Sequence, residues 1–149
     1  MIHANKLTKV FGKITAVEEL DLDVAEGEVF GFLGPNGAGK TTTVRMLTCL
    51  IGPTRGTAMV AGYKIGQQDI EIRRRVGVLT EAPGMYDNLT AENNLHIYAK
   101  LYEVKDVKGQ VDKYLKMLGL YERRMDAAGT FSKGMKQKLA IARALLHEP

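Results

Sequence analysis

The 149-residue chain contains no tryptophan, one cysteine and four prolines. A single thiol excludes an internal disulfide and agrees with a reducing compartment. Aromatic residues make up only 7% of the chain, so a nucleic-acid partner that relies on base stacking receives little support. The chain has no apolar leader and no run near the ~20 apolar residues of a membrane span, so we expect a soluble protein.

The composition is that of a globular domain. Hydrophobic residues make up 45% and charged residues 26%, and the length suits about one domain of ~100–150 residues. Glycine is enriched, with 16 residues, and much of the excess falls in one loop. The net charge of +4 fits a phosphate-bearing ligand or an anionic surface, and equally a scatter of solvated charges.

Strands are predicted mainly in the first half of the chain. Residues 18–24 alternate with period two, as a half-buried strand does. Residues 29–33 form a short apolar run typical of a fully buried strand. Residues 57–61 and 76–79 are two further predicted strands.

Helices are predicted over residues 41–50 and then throughout the second half of the chain. Thr90 and Ser132 are predicted helix caps, and Gly119 ends the middle one of three late helices. Cys49 falls in the first helix and is predicted to be a small core residue. The apolar faces of the three late helices are Leu95, Tyr98 and Leu101; Val107, Val111, Leu115 and Leu118; and Met135, Leu139, Ala142 and Leu146.

A glycine-rich loop follows the run at 29–33 and opens the first helix. Residues 34–41 fit G-x-x-x-x-G-K-[ST] at every fixed position. Glycines let backbone N–H groups face a polyphosphate, and the helix N-terminus adds a partial positive charge. Lys40 would reach the β- and γ-phosphates, Thr41 would offer its hydroxyl to Mg²⁺, and Thr42 would bond a phosphate oxygen. The predicted nucleotide-binding residues here are Gly34, Pro35, Asn36, Gly37, Ala38, Gly39, Lys40, Thr41 and Thr42.

A second motif lies at residues 131–135, F-S-K-G-M, before a helix rich in Leu, Ala and Arg. It resembles the L-S-G-G-Q signature of ABC transporter ATPases: Ser132 and Gly134 match, whereas Phe131, Lys133 and Met135 depart from the pattern. Taken alone, the segment could be an ordinary Ser-capped helix. In the family, the signature of one domain contacts the γ-phosphate bound by a second domain. The resemblance therefore implies nucleotide contacts in trans by Ser132, Lys133, Gly134 and Met135.

The resemblance, which covers the whole chain, implies further contacts to ATP and Mg²⁺. Phe11 matches the aromatic residue that stacks on adenine, although a core phenylalanine is the alternative. Val17 would add an apolar contact to the base or sugar. Glu81 stands where the family has a glutamine near Mg²⁺, and the alternative is an exposed loop acid. The implied metal contacts are Thr41 and Glu81.

The implied fold class is α/β, a P-loop NTPase of the ABC ATPase type. It would have an N-terminal antiparallel β part, an incomplete RecA-like core and a helical subdomain. Residues 1–149 would be a partial ATP-binding domain. Residues 1–82 would form the β part and phosphate-loop core, 83–130 the helical subdomain, and 131–149 the signature and its helix.

The implied function is that of the ATP-binding subunit of an ABC transporter, which couples ATP hydrolysis to export. Residues 83–95 resemble those of ABC-2-type exporter ATPases. The implied partners are a transmembrane permease and a second ATP-binding subunit in a head-to-tail dimer. The implied location is the cytoplasmic face of the cell membrane, where the subunit would be peripheral.

Two elements of the family are not found among the 149 residues. These are the apolar strand ending in Asp-Glu and the later histidine, so no catalytic residue is assigned and the general base is expected beyond Pro149. The alternative is therefore a module that binds ATP without hydrolysing it. Without the remaining core strands, the chain should be marginally stable or self-associated.

A GTPase is the third reading. Asp126 and Gly129 fit D-x-x-G, but a helical segment precedes them, and residues 5–8 lack the guanine-reading aspartate. We therefore rank this reading last.

Overall fold

A computed structural model describes residues 1–80 and 84–149. They form two compact units, Met1–Val76 and Gly77–Pro149. The first unit contains β1 (Ile2–Phe11), β2 (Ile14–Val24), α1 (Lys40–Leu47), β3 (Arg55–Val60), β4 (Tyr63–Lys64) and α2 (Asp69–Arg73). The second contains α3 (Ala91–Leu101), α4 (Val107–Met117) and α5 (Lys133–Leu145), with short 3₁₀ turns at Tyr121–Arg123 and Ala128–Thr130.

The first unit is built on a four-stranded antiparallel sheet in the order β2-β1-β3-β4. The strands β1 and β2 form a long hairpin whose pairing runs from Ile2 opposite Val24 to Phe11 opposite Ile14. This is the N-terminal antiparallel β part that the family resemblance implied. Buried side chains of the sheet, α1 and α2 make up its core: Ala4, Leu7, Val17, Met46, Leu47, Ala58, Val60, Ile65 and Ile72.

A kink crosses three strands of this sheet. Lys6, Glu19 and Gly56 all have positive φ, of 48°, 42° and 79°. The buried Thr8 hydroxyl donates to the Lys6 carbonyl over 3.1 Å and accepts from the Glu19 N–H over 3.0 Å, so it satisfies groups that the ladder leaves unpaired. A Cβ on Gly56 would lie 2.1 Å from the Lys6 oxygen, so only glycine fits there.

Two predicted strands are wrong for the described residues. Residues 29–33 and 76–79 have no strand structure, and no described strand pairs with either. Val29 is 98% exposed and Leu33 93% exposed, despite the composition of a central strand. A parallel core strand needs a hydrogen-bonded neighbour, and the four described strands pair only among themselves.

We expect the 149-residue chain to self-associate through residues 29–33, because exposed apolar side chains such as Val29 and Leu33 favour association between copies. Sedimentation velocity should show species larger than 16.4 kDa. Val29→Lys should shift the distribution toward the monomer, since a charge discourages edge pairing. Ile70→Lys, on the exposed side of α2, is the control and should have little effect. A monodisperse, cooperatively melting monomer would contradict this expectation.

The second unit is helical, and its three helices begin where the sequence predicted. Thr90 Oγ1 accepts a hydrogen bond from the Asn93 N–H, Asp106 from the Gly109 N–H, and Ser132 from the Met135 N–H. These caps anchor α3, α4 and α5 around one core: Ala91, Leu95, Ala99, Val111, Tyr114, Leu115, Leu120, Ala128, Phe131, Leu139, Ala142 and Leu146. The signature helix α5 therefore shares its core with α3 and α4. Leu101, predicted on the apolar face of α3, is 69% exposed because it lies in the last turn.

The first helix is shorter than predicted. It spans Lys40–Leu47 rather than 41–50, because Cys49 adopts a positive φ of 56° just after the Thr48 cap. Cys49 is thus outside the helix, half-buried against the core. Burial and a hydrogen bond with Asp69 raise the pKa of its thiol to about 11, so it is a weak nucleophile at neutral pH.

Among the described residues, no helix is long and apolar enough to cross a membrane.

Candidate functional site

The glycine-rich loop is shaped by three residues in the left-handed region. Gly34, Gly37 and Gly39 have φ values of 155°, 86° and 79°. L-residues with a side chain rarely adopt these angles, so the loop conformation depends on glycine at these positions. Residues 34–38 are exposed, so a ligand can reach the loop.

Backbone donors converge where the loop meets α1. Gly39 is the N-cap and supplies no side-chain hydrogen bond, and the first intrahelical bond runs from the Thr43 N–H to the Gly39 carbonyl over 2.8 Å. The N–H groups of Lys40, Thr41 and Thr42 therefore precede the helical ladder. The first turn of α1 has no acidic residue that would compensate the positive end of the helix dipole. The arrangement suits an anion.

Lys40 brings a full positive charge to the same place. Its Nζ donates hydrogen bonds of 2.6 Å to the carbonyl oxygens of Gly34 and Pro35. The ammonium is thus held at the loop, and loop and lysine form one cationic cradle. Thr41 is exposed and Thr42 half-buried beside it, with hydroxyls in the first helical turn.

The hairpin supports the base of the loop closely. A Cβ on Gly39 would lie 2.4 Å from the Ala16 oxygen and 2.9 Å from Val17 Cγ2. Val17 is buried in the core of the first unit and lies in register with Lys9. The structure therefore brings Val17 next to the N-terminus of α1, and its contact with a base or sugar stays a prediction.

Phe11 lies at the end of β1, beside the turn at Gly12, and it is 48% exposed. This position is outside the core of the unit and leaves ring surface for a ligand. Lys9 Nζ lies 5.1 Å from the ring centroid. The sequence analysis missed this lysine, although i and i+2 on one strand share a face and could have indicated it. Stacking of Phe11 on adenine stays a prediction.

The signature segment opens α5 in the second unit. Ser132 Oγ accepts from the Met135 N–H over 3.3 Å, which leaves its hydroxyl proton available. Lys133 is exposed in the first turn, and a Cβ on Gly134 would meet no heavy atom within 4 Å. Met135 is half-buried against the helical core, and its sulfur accepts from Arg123 over 3.5 Å. Their trans contacts to a nucleotide stay predictions.

The loop before α3 is organised by a side chain that the sequence analysis missed. Asn94 is fully buried; it accepts from the Tyr86 N–H and donates to the carbonyls of Tyr86, Leu89 and Thr90. An ion pair of 2.9 Å between Asp87 and Lys136 ties this loop to α5. A polar residue on the inner face of a predicted helix could have indicated such a clamp.

The predicted metal contact Glu81 lies outside the described residues. Within residues 1–80 and 84–149, no group of three or more His, Cys, Asp and Glu side chains is placed to hold a metal ion. Thr41 is therefore the described candidate, which suits Mg²⁺ because that ion is usually bound by substrate phosphates with one or two protein oxygens. Asp126, in the D-x-x-G pattern, pairs with Arg123 at 2.7 Å and follows a 3₁₀ turn rather than a strand, so the GTPase reading gains no support.

Comparison with known proteins gives the same picture. A family profile described as "ABC transporter" matches residues 17–149. The chain is 46% identical over 149 residues to the bacitracin transport ATP-binding protein BcrA of Bacillus licheniformis, covering all of this chain and 48% of that protein. It is 41% identical over 139 residues to the ABC transporter ATP-binding protein NatA of Bacillus subtilis. That match covers 91% of this chain and 56% of NatA. The chain thus spans about half the length of these relatives.

Solved structures are also similar over nearly the whole chain. One, of the ATP-binding subunit of an ABC transporter, has a TM-score of 0.85 and 31% identity, covering 99% of this chain and 62% of that one. Another is a dimeric ATP-binding cassette in a post-hydrolysis state with ADP and phosphate. It has a TM-score of 0.82 and 28% identity, and the match covers 100% of this chain and 71% of that one. These likenesses confirm an α/β P-loop fold of the ABC ATPase type.

Proposed function

Since the chain belongs to the ABC transporter family, we propose that it binds ATP with Mg²⁺ as part of a transporter's ATP-binding subunit. The observation that carries the proposal is the cradle at α1, where the Lys40 ammonium bonds the glycine loop and the N–H groups of residues 40–42 precede the first intrahelical hydrogen bond. A polyphosphate is the ligand that uses all of these donors at once.

Each residue of the cradle has a separate part in binding. Lys40 would turn its ammonium from the loop carbonyls to the β- and γ-phosphates, where the opposite charge is greater. The backbone N–H groups of the loop and first helical turn would bond the other phosphate oxygens. Thr41 would supply one oxygen to Mg²⁺, and the ion would neutralise charge between the phosphates. Phe11 and Val17 would contact the nucleoside.

We further propose that the complete protein works as a head-to-tail dimer with a membrane permease. A similar structure is that of a dimeric cassette, which supports pairing of two subunits. Ser132, Lys133, Gly134 and Met135 would then meet the γ-phosphate bound by the partner. The bacitracin transport relative supports a role in transport, and we take export as the direction because residues 83–95 resemble those of ABC-2-type exporter ATPases. The subunit would lie on the cytoplasmic face of the membrane.

The 149-residue chain itself should bind ATP but hydrolyse it only at background. Its residues include no apolar strand ending in Asp-Glu to polarise the attacking water. At a Mg-ATP concentration that saturates the unsubstituted chain, its phosphate release should therefore match that of Lys40→Ala. Isothermal titration under the same conditions should detect ATP binding to the unsubstituted chain and not to Lys40→Ala. Turnover that disappears in Lys40→Ala would overturn the binding-only proposal for this chain. Absence of ATP binding would overturn the proposed function as a whole.

A further inference from the structure

Near the turn that joins β1 and β2, Lys9 forms two contacts, and phosphate binding explains neither of them. Its Nζ lies over the Phe11 ring, 5.1 Å from the centroid. The same ammonium donates a 2.6 Å hydrogen bond to the carbonyl of Gly52, in the segment between α1 and β3. Lys9 therefore joins the exposed aromatic ring to main chain that follows the phosphate-loop helix.

The position of Lys9 connects the parts of the proposed nucleotide site. Lys9 is directly opposite Val17 in the hairpin, and Val17 closely approaches Gly39 at the N-terminus of α1. Lys9 is half-buried, and its aliphatic side chain places the ammonium over Phe11. The close approach of Val17 to Gly39, the pairing of Val17 with Lys9 and the Lys9 ammonium over Phe11 together link the N-cap of α1 to the aromatic ring.

We propose that Lys9 is a positioning residue for the nucleotide base: its ammonium holds one face of the Phe11 ring and leaves the opposite face to stack on the base. The inference rests on the proposed function. An exposed ring loses rotational freedom when a ligand stacks on it, and that loss weakens binding. A cation fixed over one face has already restricted the ring before the nucleotide arrives.

Titration with ATP and with inorganic triphosphate, each with Mg²⁺, separates this role from binding of the phosphates. Lys9→Met keeps the unbranched stem and removes the charge, and should weaken ATP binding about three-fold while leaving triphosphate binding unchanged. Lys9→Arg preserves a cation over the ring and should stay within about two-fold of the unsubstituted protein. Adding Lys9→Met to Phe11→Ala should cause no further loss, because the ring that Lys9 holds is already gone.

The absence of tryptophan supplies a second test that needs no nucleotide. Phe11→Trp places a single indole under the Lys9 ammonium, and adding Lys9→Met should change its emission in the free protein. Thermal melting of each variant checks that the hairpin remains folded.

Three results would overturn the inference. One is unchanged ATP affinity in Lys9→Met. Another is an equal loss for ATP and triphosphate, which would assign Lys9 to the phosphates or to stability. The third is identical indole emission with and without Lys9. Failure of the unsubstituted protein to bind either ligand would instead overturn the proposed function, and this inference with it.

Discussion

Lys40→Ala is expected to weaken ATP binding by at least about 100-fold. The substitution removes an ammonium that is hydrogen-bonded to two loop carbonyls and placed to meet the phosphates. Hydrogen bonds to charged groups contribute about 1.5–3 kcal/mol each, and about 3 kcal/mol corresponds to a hundred-fold change in affinity. Isothermal titration of Mg-ATP into both proteins measures the difference. The loss should shrink as salt rises, because part of it is Coulombic.

Lys108→Ala provides a matched control for this experiment. Lys108 is exposed in the first turn of α4, so its removal changes the net charge equally and keeps a good helix former. The ATP affinity of the Lys108→Ala variant should equal that of the unsubstituted chain. If Lys40→Ala bound ATP within a few-fold of Lys108→Ala, the cradle would not be the phosphate site. Melting curves of both variants separate lost binding from lost folding.

Local sequence signals predicted the three late helices and the glycine-rich turn before α1 well. Caps such as Thr90 and Ser132 act on the adjacent turn, so they hold wherever the helix packs. The G-x-x-x-x-G-K-T pattern likewise specifies backbone angles and a lysine within eight residues. The α3, α4 and α5 core followed from the 3.6-residue period of their apolar positions.

Strands were harder to predict because their structure depends on partners. Residues 29–33 have the composition of a buried strand, yet no described strand pairs with them. Pairing is a property of two segments, and a run of apolar residues specifies only one of them. The same limit hid the Lys6, Glu19 and Gly56 kink, whose positive φ values arise from bulges across three strands.

The sequence predicted only some of the side-chain contacts in the candidate site. The lysine of the phosphate loop was predicted from its motif, but its bonds to Gly34 and Pro35 are visible only in the structure. Lys9 belongs to no motif, and its hydrogen bond to Gly52 joins residues more than forty positions apart. Long-range contacts of this kind have no signature in a single sequence.

Gly39→Ala is expected to cost about 3 kcal/mol of folding free energy and to lower the melting temperature of the chain by roughly 10 °C. The residue has a φ of 79°, where a side chain costs about 1–2 kcal/mol. Its Cβ would also lie 2.4 Å from the Ala16 carbonyl oxygen and 2.9 Å from Val17 Cγ2. Backbone cannot rotate away as a flexible side chain can, so the clash adds about 1–3 kcal/mol, and together the two effects give the melting shift.

Gly62→Ala separates the two causes. Gly62 has nearly the same φ, 83°, but a Cβ there would meet no heavy atom within 4 Å. Gly62→Ala should therefore show the backbone strain alone, with a melting shift about one third to two thirds as large. Scans at one rate and without nucleotide keep the comparison free of ligand effects. Equal shifts in the two variants would mean that the hairpin does not press against the N-terminus of α1. A larger shift in Gly39→Ala, with ATP binding lost, would mean that this close approach holds the phosphate loop in shape.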